Sequence, residues 1–195
     1  QMVHGYRMLH SLFKHNKIIL STTSYVNNYF GNFFLMRIGG VPFSYSVSTH
    51  VDRAKDIARS VLNGKMDGKL YEAVSNGLFL GTMTNSEIAM SDRELGQVLA
   101  AKDFNTLNKV IFNIANLFEN NKVAHGGRTL YESIEKTHRY TAYRYFTDKM
   151  GMSPKEAVRE VNNTLFDYQD LPKGVKFLRD TGVPFISFPY LAGKS

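Results

Sequence analysis

Residues Thr129–Leu165 read TLYESIEKTHRYTAYRYFTDKMGMSPKEAVREVNNTL, and this stretch spells two helices joined by a tight link. Tyr131, Ile134, His138, Ala142, Tyr145 and Phe146 recur at spacings that put them on one side of a helix from about Thr129 to Met150. Met150-Gly151-Met152 interrupts it, and Gly151 suits the left-handed conformation that closes a helix C-terminus. Ser153-Pro154-Lys155-Glu156 then starts a second helix. The serine accepts from an orphan backbone N–H, the proline has the right φ for the first helical position, and the glutamate reaches back to the serine N–H. Ala157, Val158, Val161, Leu165 and Tyr168 give this second helix a single apolar stripe. An antiparallel helical hairpin follows.

The same signals continue upstream. Phe104, Leu107, Val110, Ile111, Ile114, Leu117 and Phe118 predict a helix ending near Asn120-Asn121, with Gly126-Gly127 as a flexible connector into the hairpin. Ser91-Asp92-Arg93-Glu94 is a second capping box. Shorter helices fit Val51–Leu62 and Lys69–Leu78, separated by Gly64 and Gly68. The run Val41-Pro42-Phe43-Ser44-Tyr45-Ser46-Val47-Ser48-Thr49, between Gly40 and His50, alternates and predicts one short extended segment. The expected fold class is all-α, with helical hairpins and short helices joined by Gly-rich links. Its expected division is a basic aromatic arm with an apolar helix over 1–50, followed by a helical domain over 51–195.

A chain of 195 residues with 43% hydrophobic and 13% aromatic residues can build a packed core, much of it from Phe and Tyr rings. It has no cysteine, which excludes disulfides, thiolate metal sites and cysteine nucleophiles. The most apolar window, Tyr25–Phe43, contains Asn27, Asn28, Asn32 and Arg37 and is not a conventional membrane span. The net charge of +7 is unevenly placed. Arg7, Lys14, Lys17 and Arg37 precede the first carboxylate, Asp52, and such an acid-free arm is drawn to phosphates or to acidic protein surfaces. The chain opens on Gln1 and closes on the apolar run Pro184-Phe185-Ile186-Ser187-Phe188-Pro189-Tyr190, so it reads as a fragment of a much longer polypeptide.

Tests for chemistry give little. Gly39-Gly40 and Gly126-Gly127 lack the spacing of a phosphate loop or a dinucleotide fingerprint and read as turns. His4, His10, His15, His50, His125 and His138 include no pair spaced to share one helical turn, and His138 reads as a hydrogen-bonded core residue. Glu72, Glu119, Glu132, Glu135, Asp167 and Asp170 read as helix-surface acids, with Asp167 placed to cap a segment at Leu171-Pro172. Tyr131-Glu132-Ser133 holds the glutamate-serine pair of a transglycosylase but not the glycine-rich helix start that should follow. No catalytic, cofactor-binding or metal-binding residue is expected, and no small-molecule substrate. The richest pattern is Lys136–Phe146, where cations and rings interleave. Arg139 with Tyr143, and Tyr140 with Arg144, are spaced for cation–π pairing along a helix, and the alternative use of these four residues is nucleic-acid contact.

Two stretches carry a family resemblance. Phe13-Lys14 and Ser21–Asn32, with Asn27, Asn28 and Asn32, lead into Phe33-Phe34-Leu35-Met36-Arg37-Ile38-Gly39. Gly151–Ala157 is followed by Phe166-Asp167-Tyr168, Leu178-Arg179 and Val183-Pro184-Phe185. In this order and separation they resemble the large internal virion, or DNA-ejection, proteins of tailed phages. The resemblance implies structural roles for Lys14, Asn27, Asn28, Asn32, Asp167, Tyr168, Pro184 and Phe185. It also implies an oligomeric structural segment that assembles with virion proteins of the core, portal or tail. Such a segment lies in the virion interior and then in the host envelope, in the periplasm or at the inner membrane, where it assists genome delivery; any catalytic module would lie elsewhere in the full-length chain. Host membrane on ejection and DNA are the further partners implied. The alternative expectation is a basic helical DNA-binding module that organises packaged DNA.

Overall fold

The computed structural model describes residues 22–64, 66–80, 82, 122–166, 171–176, 190 and 193. The fold is all-α, with no strand among the described residues. Five helices carry it: α1 (Thr22–Ile38), α2 (Phe43–Asn63), α3 (Gly68–Ser75), α4 (Lys122–Asp148) and α5 (Pro154–Leu165). The expected helix at 104–118, the capping box at Ser91, and Lys14, Asp167, Tyr168, Pro184 and Phe185 lie outside the described residues.

The α4–α5 hairpin forms as its local signals dictate. At the end of α4 the backbone N–H groups of Lys149 and Met150 both donate to the Tyr145 carbonyl, and that of Met152 donates to the Phe146 carbonyl. Gly151 turns the chain at φ 69°, a left-handed value that costs glycine nothing. At the start of α5 the Ser153 hydroxyl accepts the Glu156 N–H at 3.4 Å, while the Ser153 N–H donates to Glu156 Oε2 at 3.1 Å. Both halves of the capping box are therefore made. The carboxylate that accepts these bonds is held below its ordinary pKa by the Ser153 hydroxyl and then by the Ser153 backbone.

Three expectations are corrected. The alternating run after Pro42 is helix, because α2 begins at Phe43 and continues without a break to Asn63. Its serines and threonine stabilise this choice by bonding back to carbonyls one turn earlier: Ser46 to Pro42 at 3.2 Å and Thr49 to Tyr45 at 2.8 Å. The boundary expected at residue 50 consequently falls inside one helix. Gly126-Gly127, expected as a connector, lies within α4. The helix predicted over Lys69–Leu78 ends at Ser75, where the Leu78 N–H closes onto the Ala73 carbonyl and Gly77 takes a φ of 85°.

The chain divides into two compact units. The first includes Tyr25 and Tyr131, whose rings lie 6.1 Å apart. The second, Val26–Thr82 with Glu132–Asp170, holds most of the described residues. Its centre is α4, where every residue from Thr137 to Tyr143 is buried, so that helix has neighbours on all sides. Met36 of α1, Leu70 and Ala73 of α3, and Ala157, Val161 and Leu165 of α5 join Tyr140, Ala142, Tyr143 and Phe146 of α4 in one apolar cluster. Immediately after α1, Gly39 meets α5 so closely that a Cβ there would stand 2.3 Å from Thr164 Oγ1 and 2.4 Å from its Cγ2.

Gly39→Ala should therefore destabilise the protein by about 1–3 kcal/mol, the range for overpacking. Ser153→Ala should cost about 1 kcal/mol through the lost cap. Urea unfolding of the full chain checks both, and a Gly39→Ala midpoint equal to that of the parent would contradict the close approach.

Candidate functional site

The interior of the second unit is polar to a degree that sequence periodicity does not announce. Arg139 and His138 are both 0% exposed, and Glu135 is 6% exposed. A buried guanidinium must have its hydrogen bonds and its charge met within the protein. Arg139 lies on the side of α4 that faces the end of α5 and donates to Asn162 Oδ1 at 2.9 Å, to the Leu165 carbonyl at 3.3 Å and to the Phe166 carbonyl at 2.5 Å. Those carbonyls belong to the C-terminal turn of α5, where backbone acceptors lack helical partners and the helix dipole is negative. The Glu135 carboxylate, one turn earlier on α4, stands 3.6 Å from the Arg139 Nε. Phe166 itself has φ 59°, the one positive value among the described non-glycine residues. Its buried ring and its bonded carbonyl hold this unfavourable backbone.

Beside this cluster two histidines meet. His50 of α2 and His138 of α4 have ring centroids 4.4 Å apart, enclosed by the rings of Tyr29 and Phe33 from α1. The His138 Nδ1 lies 2.7 Å from the Ile134 carbonyl and so carries the proton; its Nε2 and the His50 Nδ1 are buried without a hydrogen-bond partner. Burial drives the His138 pKa down to about 3, with the backbone carbonyls of Ile134 and Tyr29 pulling upward and the His50 ring pushing down. Burial also lowers the His50 pKa. Both rings are neutral at physiological pH. The structure thus makes His138 a hydrogen-bonded core residue, and among the described residues no three His, Asp or Glu side chains gather as a metal site would require.

On the next turn of α4, Tyr140 stacks on Tyr143 at 6.4 Å and lies under two guanidinium groups, Arg144 of its own helix and Arg53 of α2, each 5.8 Å from the ring. The Tyr143 hydroxyl donates to Glu72 of α3 at 3.3 Å. Burial and then the Glu72 charge raise its pKa, so the phenol stays protonated. Arg144 donates to Asp148 at 2.7 Å and to the Tyr140 hydroxyl at 3.2 Å.

Of the four residues weighed for nucleic-acid contact, then, Arg139, Tyr140 and Tyr143 are buried in the helical unit and Arg144 is tied to neighbours. The expected Tyr140–Arg144 pairing is present, while Arg139 turns to α5 instead of Tyr143. Base stacking would have to use other rings. In the asparagine motif Asn27 is exposed, and the Asn32 amide donates to Asn28 Oδ1 at 3.2 Å, one turn earlier on α1. Sequence reasoning missed His50, which no local spacing links to His138, and Asn162. Neither a family model, nor a curated protein, nor a solved structure matches this chain.

The paired imidazoles set an acid limit on stability. In the unfolded chain a histidine titrates near 6.5, whereas folded His138 resists protonation down to about 3. Its contribution is complete above pH 6.5 and is lost progressively as pH falls toward 3. The stretch between about 6.5 and 5 lies above the range of ordinary carboxylates, so there the loss reports the histidines. His138→Phe should flatten the stability profile across that stretch; equal pH slopes for variant and parent would contradict the assignment. Arg139→Met, which strands Glu135, should cost about 3–5 kcal/mol in urea unfolding.

Proposed function

We propose that this chain is a structural helical segment of a tailed-phage internal virion protein, held with other virion subunits and passed to the host envelope during genome delivery. The order and spacing of its two motif stretches support the family reading. What carries the structural role is the charged centre of the helical unit, where Arg139 and Glu135 of α4 bind the end of α5.

A scaffold passed through a narrow tail has to unfold and refold without a large barrier. Fixing a unique packing through a buried ion pair suits that need, because such a pair specifies geometry while adding less stability than apolar packing of the same volume. Cysteine is absent, so no disulfide locks the fold. The side chains that α4 could have offered to a ligand instead join α2, α3 and α5 to one another.

Mass spectrometry of purified phage particles tests the proposal. Peptides of this chain should be present in DNA-filled particles and depleted from particles that have ejected their genome. Absence from the filled particles overturns the virion reading, and equal amounts in filled and emptied particles overturn the delivery role.

A further inference from the structure

α1 has two apolar faces. Phe33 and Met36 point into the unit and are buried, as a core helix requires. Val26, Phe30, Phe34 and Ile38, each one turn from the next, form a second row on the outside. Phe43, Val47 and Val51 repeat the four-residue spacing along α2. All seven side chains are between 50% and 83% exposed. Phe33 of α1 and His50 of α2 both meet the His138 ring of α4, so the inner faces of these helices turn toward α4 and the outer rows turn away from it. Two helices joined by the short link Gly39–Pro42 therefore present an extended apolar surface. Contiguous exposed apolar surface of this kind marks an interaction site.

We infer that this surface docks on an anionic lipid bilayer. Charge decides the class of partner. Residues 1–51 contain four Lys or Arg and no carboxylate, and Arg37 stands exposed on the last turn of α1 between Phe34 and Ile38. A second copy would bring the same positive arm to the contact, whereas lipid phosphates oppose it. Shape agrees, because a bilayer accepts apolar side chains from two helices without a matching groove. Length sets the depth: Val26 to Ile38 spans roughly 18 Å at 1.5 Å per residue, well short of the ~30 Å hydrocarbon core. No helix among the described residues is long and apolar enough to cross. The rows lie in the headgroup boundary, with the phenylalanines inserted.

Co-sedimentation of the full chain with phosphatidylcholine vesicles containing about a quarter phosphatidylglycerol tests this directly. The parent chain should sediment with these vesicles, bind pure phosphatidylcholine vesicles more weakly and be released by salt. The double variant Phe30→Asp and Phe34→Asp should lose roughly tenfold or more in affinity. Both side chains are exposed, so its thermal midpoint should match that of the parent and separate lost docking from lost folding. Arg37→Gln, which leaves the apolar rows intact, should weaken binding to the anionic vesicles alone. Failure of the parent to sediment, or equal sedimentation of the double variant, overturns the inference. So does lipid-free self-association that the double variant abolishes, since that assigns the rows to a second copy. None of these results depends on whether phage particles contain the chain.

Discussion

The Arg139 guanidinium, buried against the end of α5, is the constraint around which the second unit is arranged. A cation withdrawn from water costs several kcal/mol unless its donors and its charge are met. Asn162 and the Leu165 and Phe166 carbonyls meet the donors, and the Glu135 carboxylate 3.6 Å away opposes the charge. Each partner can serve only from one position, so a single residue fixes how far α5 slides along α4 and where α5 stops. The unfavourable φ of Phe166 belongs to the same arrangement: the chain leaves α5 in the conformation that delivers the carbonyl to the guanidinium.

Other neighbours of α4 are fixed in the same way, by polar or ring atoms that tolerate little displacement. Tyr143 reaches Glu72 of α3, Tyr140 lies under Arg53 of α2, and His138 meets His50 of α2 among the rings of α1. An apolar core of equal volume would be more stable and less particular about register. This one gains specificity and gives up stability, most of all toward acid, because neutral imidazoles are part of its centre.

How much of this was legible in the sequence follows from the range of each interaction. The α4–α5 hairpin was readable because Gly151 and the Ser153–Glu156 box act within one turn of chain. The run Phe43–His50 was misread because its apolar residues satisfy two periods at once: Phe43, Tyr45 and Val47 alternate like a strand, yet Phe43, Val47 and Val51 also step by one helical turn. With no partner strand to pair with, the helix wins, and hydroxyls bonded back to the preceding turn remove the objection to serine there. Gly126-Gly127 sits in α4 despite a penalty of about 1 kcal/mol per glycine, which a long helix can absorb. The Arg139 site was within reach of a further step. In an antiparallel hairpin turning at Gly151, residues equally distant from the turn come together, and Arg139 and Asn162 stand twelve residues before it and eleven after it. The pairing of His50 with His138 had no such guide, since it depends on how α2 crosses α4.

The distribution of polarity in this unit runs against the usual gradient. Charge and imidazole occupy the middle of the most buried helix, while phenylalanine, valine and isoleucine line the outer faces of α1 and α2. Both features cost free energy in water, the first through desolvation and the second through hydrated apolar surface. They differ in remedy. The interior cost is offset inside the fold, by the bonds Arg139 makes, and cannot be improved by anything outside. The exterior cost persists until another surface covers α1 and α2, at roughly 25 cal/mol for each Å² removed from water. A unit built this way is held in register by its polar centre and driven onto a partner by its outer rows, so the two sets of side chains answer to separate demands and can be altered independently.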